Sequence, residues 1–323
     1  MVYYLKPESE TLNYLYKLIR SIEHDVIFLS SYFDPLTIKV LINRRIHLER
    51  FKPIIVAPFG EFAWSSLGQK YLKKYLFILA AKLTGLYDDV VWRVSSEFEA
   101  ADVARVLKIG SDSIHITGDL PIKNIPAISE NTLPQASDNN ALKIVFLSRI
   151  VREKNLDFAL TILSKVSAKV IFDIYGPTEN SSYWTACQEL IAKLPDNIAV
   201  SYRGNASPQK VFEIFSRYDL FLFPTGGEAY GNVIAESLTV GTPVLLSTET
   251  PWRNLHSDGL GWDIDLANID AFVEVIENYS LLSNEQRLEM RAIVKTKILD
   301  RLFNPDVLES NRQLFIKQLN VRQ

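Results

Sequence analysis

The chain has 323 residues, 47% of them hydrophobic and 23% charged, with a formal net charge of −3. Such a length exceeds one ordinary core and points to two domains, the charge argues against a nucleic-acid binder, which carries a strongly basic face, and the single cysteine, Cys187, rules out an internal disulfide and suits a reducing cytoplasm. The longest purely apolar stretch, Tyr75 to Ala81, falls far short of the ~20 residues of a membrane span, and the N-terminus lacks the basic flank, apolar segment and small-residue cleavage site of a secretory signal.

Residues 1–123 hold 16 Lys and Arg against 14 Asp and Glu, and the remainder 19 against 24, so the first lobe is the mildly basic one. It opens with Pro7 to Asp25, which reads as a helix. Doubly wound domains usually open with a strand and a glycine-rich turn, so this lobe is read as missing its usual opening strands. Runs at 25–30 (DVIFLS), 53–57 (PIIVA), 90–94 (VVWRV) and 113–117 (SIHIT) then read as strands of a Rossmann-like layer. Between them, 67–86 sets Lys70, Lys73, Lys74 and Lys82 beside Tyr71, Leu72, Leu76 and Leu79. Core packing with a solvated lysine face is the expectation; the alternative is a basic amphipathic stretch lying on an anionic membrane, a peripheral contact through the first lobe at the inner face.

Residues 124–140 (NIPAISENTLPQASDNN) lack periodicity and are rich in Pro, Ser and Asn, which marks a linker. From Leu142 short β-branched runs alternate with amphipathic stretches, and strands are expected at 143–148, 169–174, 198–202, 219–223, 243–246 and 261–264. This pattern predicts a parallel sheet covered on both faces. The domains are thus 1–123, a shortened Rossmann-like lobe, and 141–302, a second one, with a helix at 303–323 that packs back on the first lobe. The fold class expected is α/β, two Rossmann-like domains facing a cleft. No short repeat supports a solenoid.

In such sheets ligands bind beyond the carboxyl ends of the strands. After the strand at 219–223 comes PTGGEAYGNVIAESLTVGTP (224–243), whose Gly226, Gly227 and Gly231 allow sharp turns and close approach of the backbone. Asn232 reads as the N-cap of a helix whose free N–H groups suit a diphosphate. Glu228 lies before the helix and Glu236 about a turn inside it. Carboxylates beside a phosphate site repel the anion, so their targets would be neutral hydroxyls, as on a sugar or a ribose. The plainer reading is a capped helix with a solvated Glu236. SRIVREKN (148–155) follows the strand at 143–148, and its Arg149 and Lys154, with Arg152 as a third cation, sit where a bound phosphate needs neutralising. Alone, the loop reads equally as a charged surface segment.

Together these residues resemble the donor domain of family-4 retaining glycosyltransferases of the GT-B architecture. The marks are Arg149 and Lys154 after a strand, and Glu228 and Glu236 separated by seven residues; IYGP (174–177), YRGNAS (202–207) and GTPVLLSTETPWRNLHSDGLGW (241–262) follow in order. The resemblance implies that Arg149 and Lys154 bind the donor diphosphate with the backbone of Gly231, Asn232 and Val233, and that Tyr230 lies in the same donor-binding loop. It also implies that Glu228 grips the transferred sugar as a catalytic group, that Glu236 holds the ribose, and that Arg203 and Gly204 lie near the base. The first lobe resembles the family more faintly, through DPLT, APFGEF, VVWRVSSEFEAADV and IHITGDLP. Many relatives place a His after the second strand; here Glu61 takes that place as a catalytic candidate, or else caps the following helix.

Asp263 and Asp265 match a short acidic metal motif of another glycosyltransferase architecture, in the wrong fold, and are assigned to chance. His24, His47, His115 and His256 have no ligand spacing, so no metal or cofactor is expected. The resemblance implies transfer of a sugar from a nucleoside diphosphate to a carbohydrate or lipid-linked acceptor, with retention, in surface polysaccharide or lipopolysaccharide assembly. Two rival readings are a donor-binding subunit, non-catalytic or half-active, that needs a partner subunit, and a GT-B nucleotide-sugar epimerase.

Overall fold

The computed structural model describes residues 11–47, 52–68, 71–120, 141–302 and 304–320; Lys70 and the linker at 124–140 lie outside them. The chain divides into two compact units, Met1–Leu120 with Pro305–Gln323, and Pro121–Asn304.

In the first unit, α1 (Leu12–Ser21) precedes β1 (Ile27–Ser30), α2 (Pro35–Ile46), β2 (Ile54–Ala57), α3 (Trp64–Gly68), α4 (Tyr71–Leu83), β3 (Val90–Val94), α5 (Glu97–Leu107) and β4 (Ile114–Ile116). The four strands pair in parallel in the order β1-β2-β3-β4. Each lies within two residues of its expected place. The order runs one way, so among the described residues this sheet has only one of the two halves of a doubly wound domain. Asp34 starts α2, its carboxylate accepting from Leu36 N at 2.8 Å, with Pro35 at the first helical position. Tyr32 anchors the core: it is buried, stacks on Tyr87 at 4.2 Å and meets Phe62 edge-on at 4.9 Å.

Helix α4 departs from the expectation of core packing. Only Ile78 and Ala81 are buried, while Tyr71, Leu72, Leu76 and Leu79 are exposed. Periodicity finds an apolar helix but not the side it buries, and here two arcs compete.

In the second unit, β5 (Leu142–Leu147), α6 (Leu156–Leu163), β6 (Val170–Tyr175), α7 (Ser181–Ile191), β7 (Ile198–Tyr202), α8 (Val211–Ser216), β8 (Leu220–Phe223), α9 (Asn232–Thr239), β9 (Val244–Ser247), α10 (Leu255–Asp258), β10 (Gly261–Ile264), α11 (Ile269–Ser280) and α12 (Asn284–Leu302) follow in order. All six strands are parallel, ordered β10-β9-β8-β5-β6-β7. Read from β5, the chain winds out to β7, returns to β8 and winds the other way, the complete Rossmann order with its switch point between β5 and β8. Burial on both faces explains the unbroken runs LFLF and VLLS, every residue of which is buried. Phe221 and Phe223 share one face and stack at 5.2 Å, and each such buried ring contributes roughly 1.5–3 kcal/mol.

The buried Arg291 of α12 fixes α8 and α9 against this sheet. Its guanidinium donates to Tyr218 O at 2.6 Å, Ser216 O at 3.2 Å and Val240 O at 3.4 Å, carbonyls left open where the two helices end. Gly241 makes the approach feasible, since a Cβ there would fall 2.6 Å from Arg291 O. The final helix, α13 (Pro305–Asn320), belongs to the first unit, where Asn311 Nδ2 donates to Gly118 O at 2.9 Å and Phe315 lies 6.2 Å from Phe28.

Candidate functional site

The switch point places two loops side by side. β5 pairs with β8 through Val145 and Phe221, so the chain leaving β5 at Ser148 and the chain leaving β8 at Pro224 emerge at the same end of adjacent strands. The β5 loop is shaped from below. Ser148 N donates to Tyr175 O at 3.1 Å and Ile150 N to Pro177 O at 2.9 Å, with Ile150 fully buried. Gly176, at φ +140°, permits this, because a Cβ there would lie 1.8 Å from Ser148 O. The loop then makes a single 3-10 turn, Arg152–Lys154, and Asn155, at φ +53°, starts α6.

Three loops are tied together around that turn. Asn155 Nδ2 donates to Pro224 O at 3.0 Å and Gly226 N to Glu153 O at 2.7 Å. Thr225 Oγ1 lies 3.2 Å from Glu153 O and accepts from Gly227 N at 3.2 Å. From the β9 side, Ser247 Oγ donates to Thr225 O at 2.5 Å, Trp252 Nε1 to Tyr230 O at 2.5 Å, and Glu228 N to Glu249 O at 3.1 Å. None of Asn155, Thr225, Ser247, Glu249 and Trp252 was singled out from the sequence. Nothing in the local pattern marks them.

Within this frame Lys154 and Glu228 meet. Lys154 is buried, and its Nζ lies 2.8 Å from Glu228 Oε1, 3.2 Å from Glu153 Oε1 and 3.2 Å from Gly227 O. Burial pushes the Glu228 carboxyl above the usual carboxylate range, and the ammonium of Lys154 opposes that rise. The attraction in such a pair about offsets the desolvation of its ions, so it specifies geometry more than it adds stability. Arg149 stands outside the pair, exposed, with Nη1 3.5 Å from Glu179 Oε2, yet near enough to stabilise the Glu228 charge.

Helix α9 begins beside Glu228. The N-cap is Gly231 at φ +83°, not Asn232, which the sequence had suggested; the left-handed backbone there favours glycine, and Asn232 takes the first helical position. The first intrahelical donors are Ile234 and Ala235, both to Gly231 O. The N–H groups of Asn232 and Val233 thus point out of the helix start, where they and the helix dipole suit an anion. Glu236 sits about one turn along, half-buried, and burial alone pushes its carboxyl up to about 7.

The remaining candidates are placed differently. Arg203 Nε lies 3.1 Å from Asp173 Oδ1, and Tyr218 OH donates to the same carboxylate at 2.7 Å, so Arg203 is held against β6 with about half its side chain exposed. Gly204, at φ +77°, faces open space. In the first unit, both Glu61 oxygens are occupied by the β1–α2 loop: Oε1 accepts from Ser31 Oγ at 2.6 Å and Oε2 from the backbone N–H groups of Tyr32 and Phe33. Burial raises its pKa and these donors oppose the rise. Asp263 accepts from Leu255 N at 2.9 Å and pairs with Arg253 at 3.2 Å, a helix-start role for α10. Among the described residues no group of three or more His, Cys, Asp or Glu is arranged to hold a metal ion, and no helix is long and apolar enough to cross a membrane.

The family model described as glycosyl transferases group 1 matches residues 129–297, which contain every loop of the site. An uncharacterized 41.2 kDa protein in the cps region of Klebsiella pneumoniae is 22% identical over 288 residues, 87% of this chain and 76% of that one. The GtfA subunit of a UDP-N-acetylglucosamine–peptide N-acetylglucosaminyltransferase from Streptococcus pneumoniae is 25% identical over 199 residues, 58% of this chain but only 38% of its own length. Among solved structures, HepE of Anabaena in complex with UDP and glucose superposes with a TM-score of 0.67 at 12% identity, covering 94% of this chain and 81% of HepE; at that identity the likeness speaks for the GT-B fold. With the family model matching more than half its length, the chain belongs to the glycosyl transferases group 1 family.

Proposed function

We propose that this chain is a retaining glycosyltransferase that moves a sugar from a nucleoside diphosphate to an acceptor hydroxyl in surface polysaccharide or lipopolysaccharide assembly. The observation that carries the reading is the buried Lys154–Glu228 pair, 2.8 Å across, at the switch point and beside the open start of α9. In this reading the cation and the helix N-terminus stabilise the charge that a leaving diphosphate gains, and the carboxylate stabilises a sugar ring that turns cation-like. Lys154 and Arg149 bind the diphosphate with the N–H groups of Gly231, Asn232 and Val233. Glu228 grips the sugar, Glu236 the ribose, and Arg203, Gly204 and Tyr230 border the nucleotide. Glu61 is the catalytic candidate of the first unit, its carboxylate positioned by the donors of Ser31, Tyr32 and Phe33 in the β1–α2 loop. The relative from a cps region supports the setting, and HepE with UDP and glucose supports a nucleotide-sugar donor.

In this reading no metal is required, because protein cations and the α9 start take the diphosphate charge. Turnover should therefore persist in excess EDTA; loss on chelation with recovery on added Mg²⁺ would overturn that part. The main test incubates the chain with UDP-glucose, UDP-N-acetylglucosamine and an acceptor panel, and reads the anomeric configuration of the product by NMR. An inverted product refutes retention, and a product that is only an altered donor sugar points to an epimerase. A second reading, a donor-binding subunit that needs a partner, is favoured by the naming of the Streptococcus relative as a subunit. Tight UDP-sugar binding with no transfer to any acceptor would select it.

A further inference from the structure

Helix α4 is apolar on two arcs and buries one of them. Ile78 and Ala81 are buried, and Phe77 packs against the first unit's core. At 3.6 residues per turn, Tyr71, Leu72, Tyr75, Leu76, Leu79 and Leu83 share another arc about 140° wide, and all six are exposed, from 45% at Leu79 to 80% at Leu83. Single exposed apolar residues need no explanation, but a contiguous patch of this kind marks an interaction surface. Trp64 of α3, 71% exposed, extends it.

The charged side chains that line the cavity beside the patch are all cations, and one of them, Arg105, is paired with Asp102. A cavity of about 420 Å³ between α3, α4 and α5 is lined by Trp64, Tyr71, Tyr75 and Leu79 together with the cations Lys74, Lys82, Arg105 and Lys108, and no acidic side chain lines it. The ammonium of Lys108 lowers the pKa of Lys82, after burial the second cause, so these two charges stand near each other. Arg105 stacks over the Trp64 ring at 4.1 Å and shares its charge with Asp102 at 2.6 Å. Lys73 adds a further exposed cation.

We propose that α4, with Trp64, docks the first unit flat onto an anionic lipid surface. A helix of 13 residues is too short to span a bilayer, but its arc of leucines matches the acyl boundary. Tyr71, Tyr75 and Trp64 match the headgroup level that amphipathic aromatics prefer, and the lysine stems can snorkel to lipid phosphates. The cation surplus next to the leucines is what selects this occupant: an apolar protein face would leave Lys73, Lys82 and Lys108 without counter-charge, whereas anionic headgroups supply it across the whole patch.

The inference needs no sugar transfer and is tested without it, by co-sedimentation of the full chain with vesicles of phosphatidylcholine alone or with phosphatidylglycerol added. Binding should be stronger to the anionic vesicles and weaken with salt. Leu76→Asp should lower it about tenfold or more, and Lys73→Glu or Lys108→Glu about fivefold each. These positions are exposed, so the thermal midpoint and UDP binding should not change, which separates lost docking from lost folding. Failure of the wild type to bind either vesicle would overturn the proposal. So would equal binding to both that ignores Leu76→Asp, or a solution dimer that Leu76→Asp dissolves, since a second copy would then cover the face.

Discussion

Lys154 and Glu228 lie 74 positions apart in sequence and 2.8 Å apart in space, and a second carboxylate, Glu153, lies 3.2 Å from the same ammonium. Removing the lysine would leave two carboxylates facing each other in a buried site. Lys154→Ala should therefore cost about 1–3 kcal/mol of stability, and Glu228→Gln in the same chain should restore part of it. Urea unfolding of the two single variants and the double variant measures the coupling; simple additivity would mean that the pair does not act as a unit.

The same pair sets an expectation for ligands. In the free protein Lys154 is held by Glu228, so a diphosphate must compete for it. Glu228→Gln should bind nucleoside diphosphate about three- to tenfold more tightly, because the ammonium is released, while transfer falls by about a hundredfold or more through loss of a contact that strengthens in the transition state. Lys154→Ala should weaken diphosphate binding about ten- to hundredfold and leave the nucleoside unaffected. Calorimetry with UDP and uridine distinguishes these outcomes. Wild-type turnover in Glu228→Gln would remove that carboxylate from the active site.

All six strands of the second unit were legible from the sequence, because a parallel sheet buried on both faces writes itself as short β-branched runs. The two site loops were legible too, as glycines and cations placed just after strands. Their internal wiring was not. The bonds from Asn155 to Pro224, Ser247 to Thr225 and Trp252 to Tyr230 join segments 22 to 69 residues apart, and which polar side chain meets which carbonyl depends on strand order, not local pattern. Glu61 shows the same limit: its place after β2 was readable, but its capture by Ser31 across 30 residues was not. In α4 the helix itself was readable, and the choice between its apolar arcs was not.

Two glycines with positive φ should respond unequally to alanine. At Gly176 a Cβ would fall 1.8 Å from Ser148 O, so the backbone that carries Arg149 must move. At Gly204 no heavy atom lies within 4 Å, so only the left-handed backbone, φ +77°, resists. Gly204→Ala should cost about 1 kcal/mol, and Gly176→Ala about 3 kcal/mol or more, with weaker diphosphate binding. Equal costs in chemical denaturation would show that the β5 loop yields easily and that Gly176 does not fix it.

Glu236 should make both stability and nucleotide binding depend on pH, and the sign follows from its burial. A carboxyl moved from 4.5 up to about 7 keeps its proton in the folded protein after the unfolded chain has released it. Its contribution is thus complete below the ordinary carboxylate pKa and is lost as pH rises through about 7, above which folding must bury a charge. Glu236→Gln abolishes that titration. The variant should therefore gain on the wild type between pH 4.5 and 8. Because Glu236 is only half-buried, solvent screening reduces the gain to about 1–2 kcal/mol. Other carboxyls raised by burial, such as Glu228 and Asp219, are common to both proteins and cancel in the difference. Ligand binding should run the other way, since an ionised carboxylate is the stronger acceptor for ribose hydroxyls: nucleoside affinity of the wild type should rise from pH 6 to 8, and that of Glu236→Gln should stay flat. A stability difference independent of pH would mean that the carboxyl titrates normally, and parallel binding profiles would remove Glu236 from the ribose.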